Sequence, residues 1–205
     1  NSFYVFEQLY DESGAPLRDG VDHNNDGTVN LADMYADTNG DEVVDDKDRR
    51  PMENPAPDVT YGITSNLQVK DFDLSFTLRG NMGNYVYNNI ASNKGNLNAV
   101  RGSNFATNMH RSALETGFTV PQYFSDHYVE NASFLRMDNI TLGYSPKLPT
   151  DKMNLRLYAT GQNLFVISDY SGLDPEIGNA NGGFGIDRNV YPRSRTFMLG
   201  LNIGF

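Results

Sequence analysis

The feature that most constrains this chain is a two-residue alternation that keeps one parity free of charge. In "DVTYGITSNLQV", Val59, Tyr61, Ile63, Leu67 and Val69 share a face with Ser65, while Thr60, Gly62, Thr64, Asn66 and Gln68 take the other. After Lys70 and Asp71, "FDLSFTLRGN" sets Phe72, Leu74, Phe76, Leu78 and Gly80 against Asp73, Ser75, Thr77, Arg79 and Asn81. Successive side chains of a strand point to opposite faces, so the pair reads as an antiparallel hairpin with a tight turn, apolar on one side and polar on the other.

The same period recurs downstream. "SFLRMDNITLGY" carries Ile140, Leu142 and Tyr144 on one parity and Leu135 and Met137 on the opposite one, which predicts a bulge near Asp138 and Asn139. "LRLYATGQNLF" presents Leu155, Leu157 and Ala159. The closing "RTFMLGLNIGF" alternates Phe197, Leu199, Leu201, Ile203 and Phe205 with Met198, Gly200, Asn202 and Gly204. With a strand over 2–9, six strands are expected. Their connections sort by length. Residues 70–71 and 145–154 are short, whereas 82–132 and 166–193 are long and rich in Gly and Asn. A meander sends alternate connections to opposite ends, so the short turns share one rim and the long loops the other, as in outer-membrane barrels.

Alternation alone does not say whether the apolar face meets a core or lipid. Strands of this length match a tilted membrane span, no helix pattern is available to cover a sheet, and an Arg or Lys at the bilayer midplane would cost about 2–4 kcal/mol. These features favour a membrane barrel over its rival, a secreted, calcium-stabilised β-module for binding or adhesion. The apolar runs are far too short for a spanning helix. The 205 residues carry a net charge of −10, which argues against a nucleic-acid partner, and with no cysteine there is no disulfide or thiol chemistry. The opening "NSFYVFEQLY" reads as the interior of a longer protein, of which this is the C-terminal part.

Much of the acidity lies in 19–57, read as an inserted calcium-loop-like segment. In "DHNNDGTVNLAD", Asp22, Asn24, Asp26, Asn30 and Asp33 fall at positions 1, 3, 5, 9 and 12, with Gly27 at 6 and the Thr28 carbonyl at 7. Fifteen residues on, "DTNGDEVVDDKD" repeats the pattern with Asp37, Asn39, Asp41, the Val43 carbonyl, Asp45 and Asp48, but with Glu42 in place of the glycine. A hard dication takes six to eight oxygens, and a glycine permits the turn that gathers them, so structural Ca²⁺ is the expected cofactor. His23 fills a spacer position.

Catalytic signatures such as G-x-S-x-G, the P-loop and H-E-x-x-H do not occur, and no enzyme activity is expected. Asp73 and Arg79 are lumenal candidates by parity. Tyr85, Tyr87 and Tyr123 are candidates for stacking on sugars, against the plainer reading of packing or an interfacial girdle. "NAS" at Asn131 and "NIT" at Asn139 match the glycosylation triplet, the second inside a predicted strand.

Taken together and in order, "NSFYVFEQLYDESGAPL", "DTNGDEVVDDKDR", "NPAPDVTYGI", "FDLSFTLRGNMGNYVYN", "FLRMDNITLGYS", "GQNLFVISDYSGLDPEIG" and "YPRSRTFMLGLNIGF" resemble the C-terminal part of the SusC/RagA family of TonB-dependent outer-membrane transporters. The resemblance implies an all-β fold, the C-terminal antiparallel strands of a 22-stranded transmembrane barrel, with the plug and TonB-contacting segment upstream of residues 1–205. It also implies import of glycans or peptides across the bacterial outer membrane. The partners would be the remainder of the same barrel, a SusD-like surface lipoprotein, TonB and outer-membrane lipid. A terminal aromatic, here Phe205, is what such barrels present to their assembly machinery. Placing Phe205 in the periplasm puts the acidic insertion outside the cell.

Overall fold

The computed structural model describes residues 2–101, 107–149, 153–178 and 184–205. Among them, ten strands and two short helices occur in the order β1 (Phe3–Val5), β2 (Arg50–Met52), β3 (Val59–Val69), β4 (Phe72–Met82), β5 (Tyr85–Tyr87), α1 (Asn89–Lys94), α2 (Ser112–Thr116), β6 (Val129–Asn131), β7 (Phe134–Tyr144), β8 (Asn154–Gln162), β9 (Val166–Ser168) and β10 (Thr196–Gly204). The long strands form one antiparallel sheet in the order β10-β8-β7-β4-β3, and β9 pairs with β7 beyond the end of β8.

The hairpin forms with Val69 opposite Phe72 across the two-residue turn, where Lys70 has φ +55°. The expected bulge is present. Between β4 and β7, Thr77 pairs with Asn139 but Leu78 with Met137, so Asp138 is the extra residue. Directly paired residues share a face. The bulge therefore returns Leu135 and Met137 to the side of Ile140, Leu142 and Tyr144. Following the register, this side carries no charged residue in any strand from β3 to β10. It is also uncovered: Ile63, Val69, Phe72, Leu142, Leu157, Leu199 and Leu201 are all exposed, Leu199 at 89%. The opposite side is polar, with threonine hydroxyls paired at Thr64–Thr77 (3.2 Å) and Thr141–Thr160 (2.8 Å).

The expected strand over 2–9 does not join this sheet. Only Phe3–Val5 is extended, and it pairs with Arg50–Met52 in a separate two-stranded sheet. The reason is that alternation stops there: Val5 and Phe6 are both buried, one in each of two apolar clusters. Five long strands, not six, build the wall.

The two turns share a rim, where the Ser145 amide donates to the Asp71 carbonyl at 2.7 Å; residues 150–152 of the second turn lie outside the described residues. At the other rim the long connections and the acidic insertion fold into one cap. Phe3, Val5, Tyr87, Ala91, Phe118 and Tyr128 form one cluster of its core, and Phe6, Met34, Tyr35 and Val44 another. The Thr119 amide donates to Asp19 (2.8 Å) and the Tyr35 hydroxyl to Gln122 (2.9 Å), tying the insertion to the loop between β5 and β6. No helix in the described residues is long and apolar enough to cross a membrane, which says nothing about a β-barrel. The two helices, six and five residues long, lie in the cap and leave the apolar side of the sheet open.

Candidate functional site

Two regions collect the polar chemistry: the polar side of the sheet and the acidic insertion. On the sheet, Asp73 of β4 and Arg156 of β8 form a bidentate pair at 3.0 and 2.6 Å, although β7 runs between their strands. Gly143, opposite both Asp73 and Tyr158, makes the reach possible, because a Cβ there would lie 2.2 Å from the Asp73 carboxylate. Nearer the cap, Arg79 of β4 contacts the bulge residue Asp138 through Nε (2.8 and 2.6 Å) and Glu176 through both terminal nitrogens (2.6 and 2.9 Å). Arg136 of β7, almost fully buried, reaches Asp174 at 2.5 Å. Arg193 closes the group on Asp174 (3.1 Å) and Glu176 (2.7 Å). Burial alone would raise the Glu176 carboxyl, but the hydrogen bond from Arg79 and the charges of Arg193, Arg79 and Arg136 outweigh it and hold the group below its ordinary value.

Parity had pointed Asp73 and Arg79 to this side but had named neither partner. Arg136, Asp174, Glu176 and Arg193 were missed. A usable signal was an "LDPE" tetrapeptide in a long loop together with arginines on the polar parity of two neighbouring strands.

In the insertion the two acidic loops repeat one hydrogen-bond scheme fifteen residues apart. Asp22 accepts from the Gly27 amide (2.9 Å) and Asp37 from that of Glu42 (2.8 Å). Asn24 accepts from Asp26 (2.9 Å) and Asn39 from Asp41 (2.8 Å). Asp26 accepts from Thr28 (2.7 Å) and Asp41 from Val43 (3.1 Å). Asn30 and Asp45 each cap a 3-10 turn, Leu31–Asp33 and Asp46–Asp48. Asp33 and Asp48 are buried at 1% and 0% exposure and close their loops. Asp33 takes the amides of His23, Asn24 and Asn30, and Asp48 those of Thr38, Asn39 and Asp45. These backbone donors, that of Asn30 foremost for Asp33 and that of Asp45 for Asp48, hold both carboxyls below the ordinary range.

The donor set of each loop is oxygen only and suits a hard dication in kind. Asp22, Asn24 and Asp26 all bond into the turn at Gly27, which has φ +87°. Among the described residues no group of three or more His, Asp or Glu side chains is placed to hold a metal ion, so the amide and carbonyl oxygens of the loops would have to complete any site. Besides Glu42 in place of Gly27, the loops differ in charge balance. The Lys47 ammonium lies 3.2 Å from Asp45 and 3.8 Å from Asp41, and Ala32 holds the matching place in the first loop.

Of the tyrosines considered for stacking, Tyr87 is a core residue, 7% exposed, with its hydroxyl on Ser92 (2.9 Å) and on the Phe124 amide (2.8 Å). Tyr85 packs against the same cluster. Tyr123 is exposed. His110 and His127 stay apart from both regions. His127 lies against Tyr10, Phe118 and Tyr128, and burial lowers its pKa.

No family model matches the chain. Comparison with curated proteins is decisive: the TonB-dependent receptor SusC of Bacteroides thetaiotaomicron is 43% identical over 213 residues, covering the whole chain and 19% of SusC. The chain is homologous to SusC-type TonB-dependent receptors. TonB-dependent receptor P3 of Formosa agariphila is 29% identical across the full chain, which covers 22% of it. The chain thus spans about a fifth of the curated relatives it matches. Among solved structures, that of the RagAB peptide transporter matches with a TM-score of 0.66 at 22% identity, over 100% of this chain and 23% of that one; the RagAB importer in its 'open-open' state gives 0.64 at 24%. These likenesses show the fold, a portion of a transporter barrel, and fit a C-terminal SusC/RagA-like segment. The relatives are receptors and transporters, not enzymes. In an outer-membrane barrel the outward side of the wall is the apolar one and the lumenal side the polar one.

Proposed function

We propose that this chain is part of the wall of a TonB-dependent transporter in a bacterial outer membrane, importing oligosaccharides or peptides together with a SusD-like surface lipoprotein. The observation that carries the reading is the uncovered apolar side, free of charge across five registered strands, set against a lumenal side of hydroxyls, amides and ion pairs. A soluble sheet would have to cover that side with a second layer. Five strands leave two open edges, β3 and β10, which the remainder of the barrel would pair. The cap would then lie outside the cell, on the side where a surface lipoprotein could close over it, and the short turns in the periplasm.

The test is fractionation of cells producing the full-length protein. Recovery in the outer membrane, detergent-dependent solubility and heat-modifiable electrophoretic mobility support the reading; a soluble monomer obtained without detergent would refute it. Uptake assays with labelled oligosaccharides and peptides separate the two cargo classes, and loss of uptake on deletion of a SusD-like lipoprotein would identify that partner.

Within this reading the insertion carries structural Ca²⁺ in the first loop, through Asp22, Asn24, Asp26, the Thr28 carbonyl, Asn30 and Asp33. In the second, Lys47 already offsets the charge of Asp41 and Asp45, so the affinity of Asp37, Asn39, Asp41, the Val43 carbonyl, Asp45 and Asp48 should be lower. Calorimetry should find a tight site that Asp22→Ala with Asp26→Ala abolishes, and calcium should protect 22–33 from proteolysis. Unchanged proteolysis in that double variant would remove the assignment.

A further inference from the structure

The Asp174–Glu176 turn stands out because its hold on the wall is ionic. It lies between two apolar anchors, Tyr170 and Ile177, which pack with Val86 and Ala132 in the cap. Between the anchors Leu173 points to solvent at 63% exposure, while Asp174 and Pro175 are buried. The contacts that reach the wall are charged: Asp174 sits on Arg136 and Arg193, and Glu176 on Arg79 and Arg193. Arg79 and Arg136 are opposite each other in the β4–β7 register, on the lumenal side. The tip is therefore drawn over the lumen wall instead of standing up from the rim. Three guanidinium groups face three carboxylates once Asp138 is counted, so the cluster is balanced and holds no surplus charge for an anionic ligand.

We propose that 172–176 is an ion-latched strap that narrows the lumen when closed and can swing off the polar side while the strands remain paired. The geometry supports a separable motion because Asp174 and Glu176 hold Arg79, Arg136 and Arg193 through side-chain ion pairs. The β4–β7 ladder beneath does not use these groups. The strap depends on the barrel fold and not on what the barrel imports, so its test and the test of import fail independently.

The experiment attaches a nitroxide label at Leu173→Cys in the full-length transporter, with a control label at Leu201→Cys on the lipid side. In the parent the strap label should be largely immobile. Glu176→Gln combined with Asp174→Asn should raise its mobile fraction about five- to tenfold, in the range expected for losing partly buried, charge-assisted contacts, and leave the control label and heat-modifiable mobility unchanged. A salt titration of the otherwise unaltered labelled protein to 1 M, where screening acts over about 3 Å, should move the strap label in the same direction but by less, because it weakens the partly exposed pairs of Glu176 more than the buried Arg136–Asp174 pair. Two results would overturn the proposal: a strap label insensitive to both perturbations, which would mean that packing holds the turn, or equal loosening of the control label, which would make the ion pairs part of the wall's own stability.

Discussion

Replacing Leu199 by arginine separates a lipid-facing sheet from one whose outer layer is merely missing. Leu199 lies near the middle of β10, opposite Ala159, and is 89% exposed, so in water the substitution would cost almost nothing. In a barrel the outward residues are Phe197, Leu199, Leu201 and Ile203. Steps of two residues along a strand tilted by about 40° separate them by about 5 Å of depth, which puts Leu199 within about 3 Å of the midplane and Ile203 about 8 Å from it. An arginine at the midplane costs about 2–4 kcal/mol, falling to about 0–1 near the interface. Leu199→Arg should thus lower the folded-to-unfolded ratio by about 30- to 800-fold, and Ile203→Arg by far less. Met198→Arg, one residue away and facing the lumen opposite Thr160, should change it by less than about 1 kcal/mol. Urea titration of the full-length protein in phospholipid vesicles, scored by heat-modifiable mobility, measures all three. Equal costs at 198 and 199, or no cost at 199, would refute the assignment of faces.

Gly143→Val should displace the Asp73 carboxylate and cost about 1–3 kcal/mol by overpacking, and it should be non-additive with Asp73→Ala in a double-mutant cycle because both break the same contact with Arg156. Glu42, held at φ +67° where the first loop has Gly27, should gain about 1 kcal/mol of local stability on replacement by glycine, read as slower proteolytic cutting in 37–48, with Gly27→Ala shifting 22–33 the other way. The pH response of the first loop follows from Asp33. Its carboxyl is depressed in the folded loop, so its contribution is complete above the ordinary carboxylate range and is lost as the pH falls through the depressed value. Pepsin should therefore cut 22–33 only well below about pH 4, and Asp33→Asn should remove that step and leave the loop cleavable throughout.

How much of this was legible beforehand depends on how far apart the interacting residues lie. The Val69–Phe72 turn, the bulge at Asp138 and the direction of the side chains in the five wall strands follow from a period of two, a local property. The fifteen-residue repeat was visible too, and it is realised as a repeated hydrogen-bond scheme. Alternation misled at Phe3 and Val5, where a short extended run enters a cap core that buries Phe6 as well. It was silent on the ion cluster: parity sets Arg79 toward the lumen but carries no information about Glu176, 97 residues away. For Tyr87 the plainer of the two readings, packing, is the one realised, because the long loop that carries it has a core of its own.

That core explains why one chain carries two kinds of stability. In the cap, buried rings and amide-saturated carboxylates such as Asp33 and Asp48 hold irregular backbone without help from lipid. In the wall almost no apolar side chain is buried, Phe134 beneath the Arg79 and Arg136 guanidinium groups being an exception, so the strands rely on ladder hydrogen bonds, ion pairs on the polar side and whatever covers the outer side. The ion-latched turn at Asp174–Glu176 lies where these regimes meet, anchored in the cap by Tyr170 and reaching arginines that belong to the wall. Charge is the suitable fastening at that junction. Apolar packing would weld the turn to one surface, whereas the partly exposed pairs of Glu176 with Arg79 and Arg193 have water as a ready alternative partner.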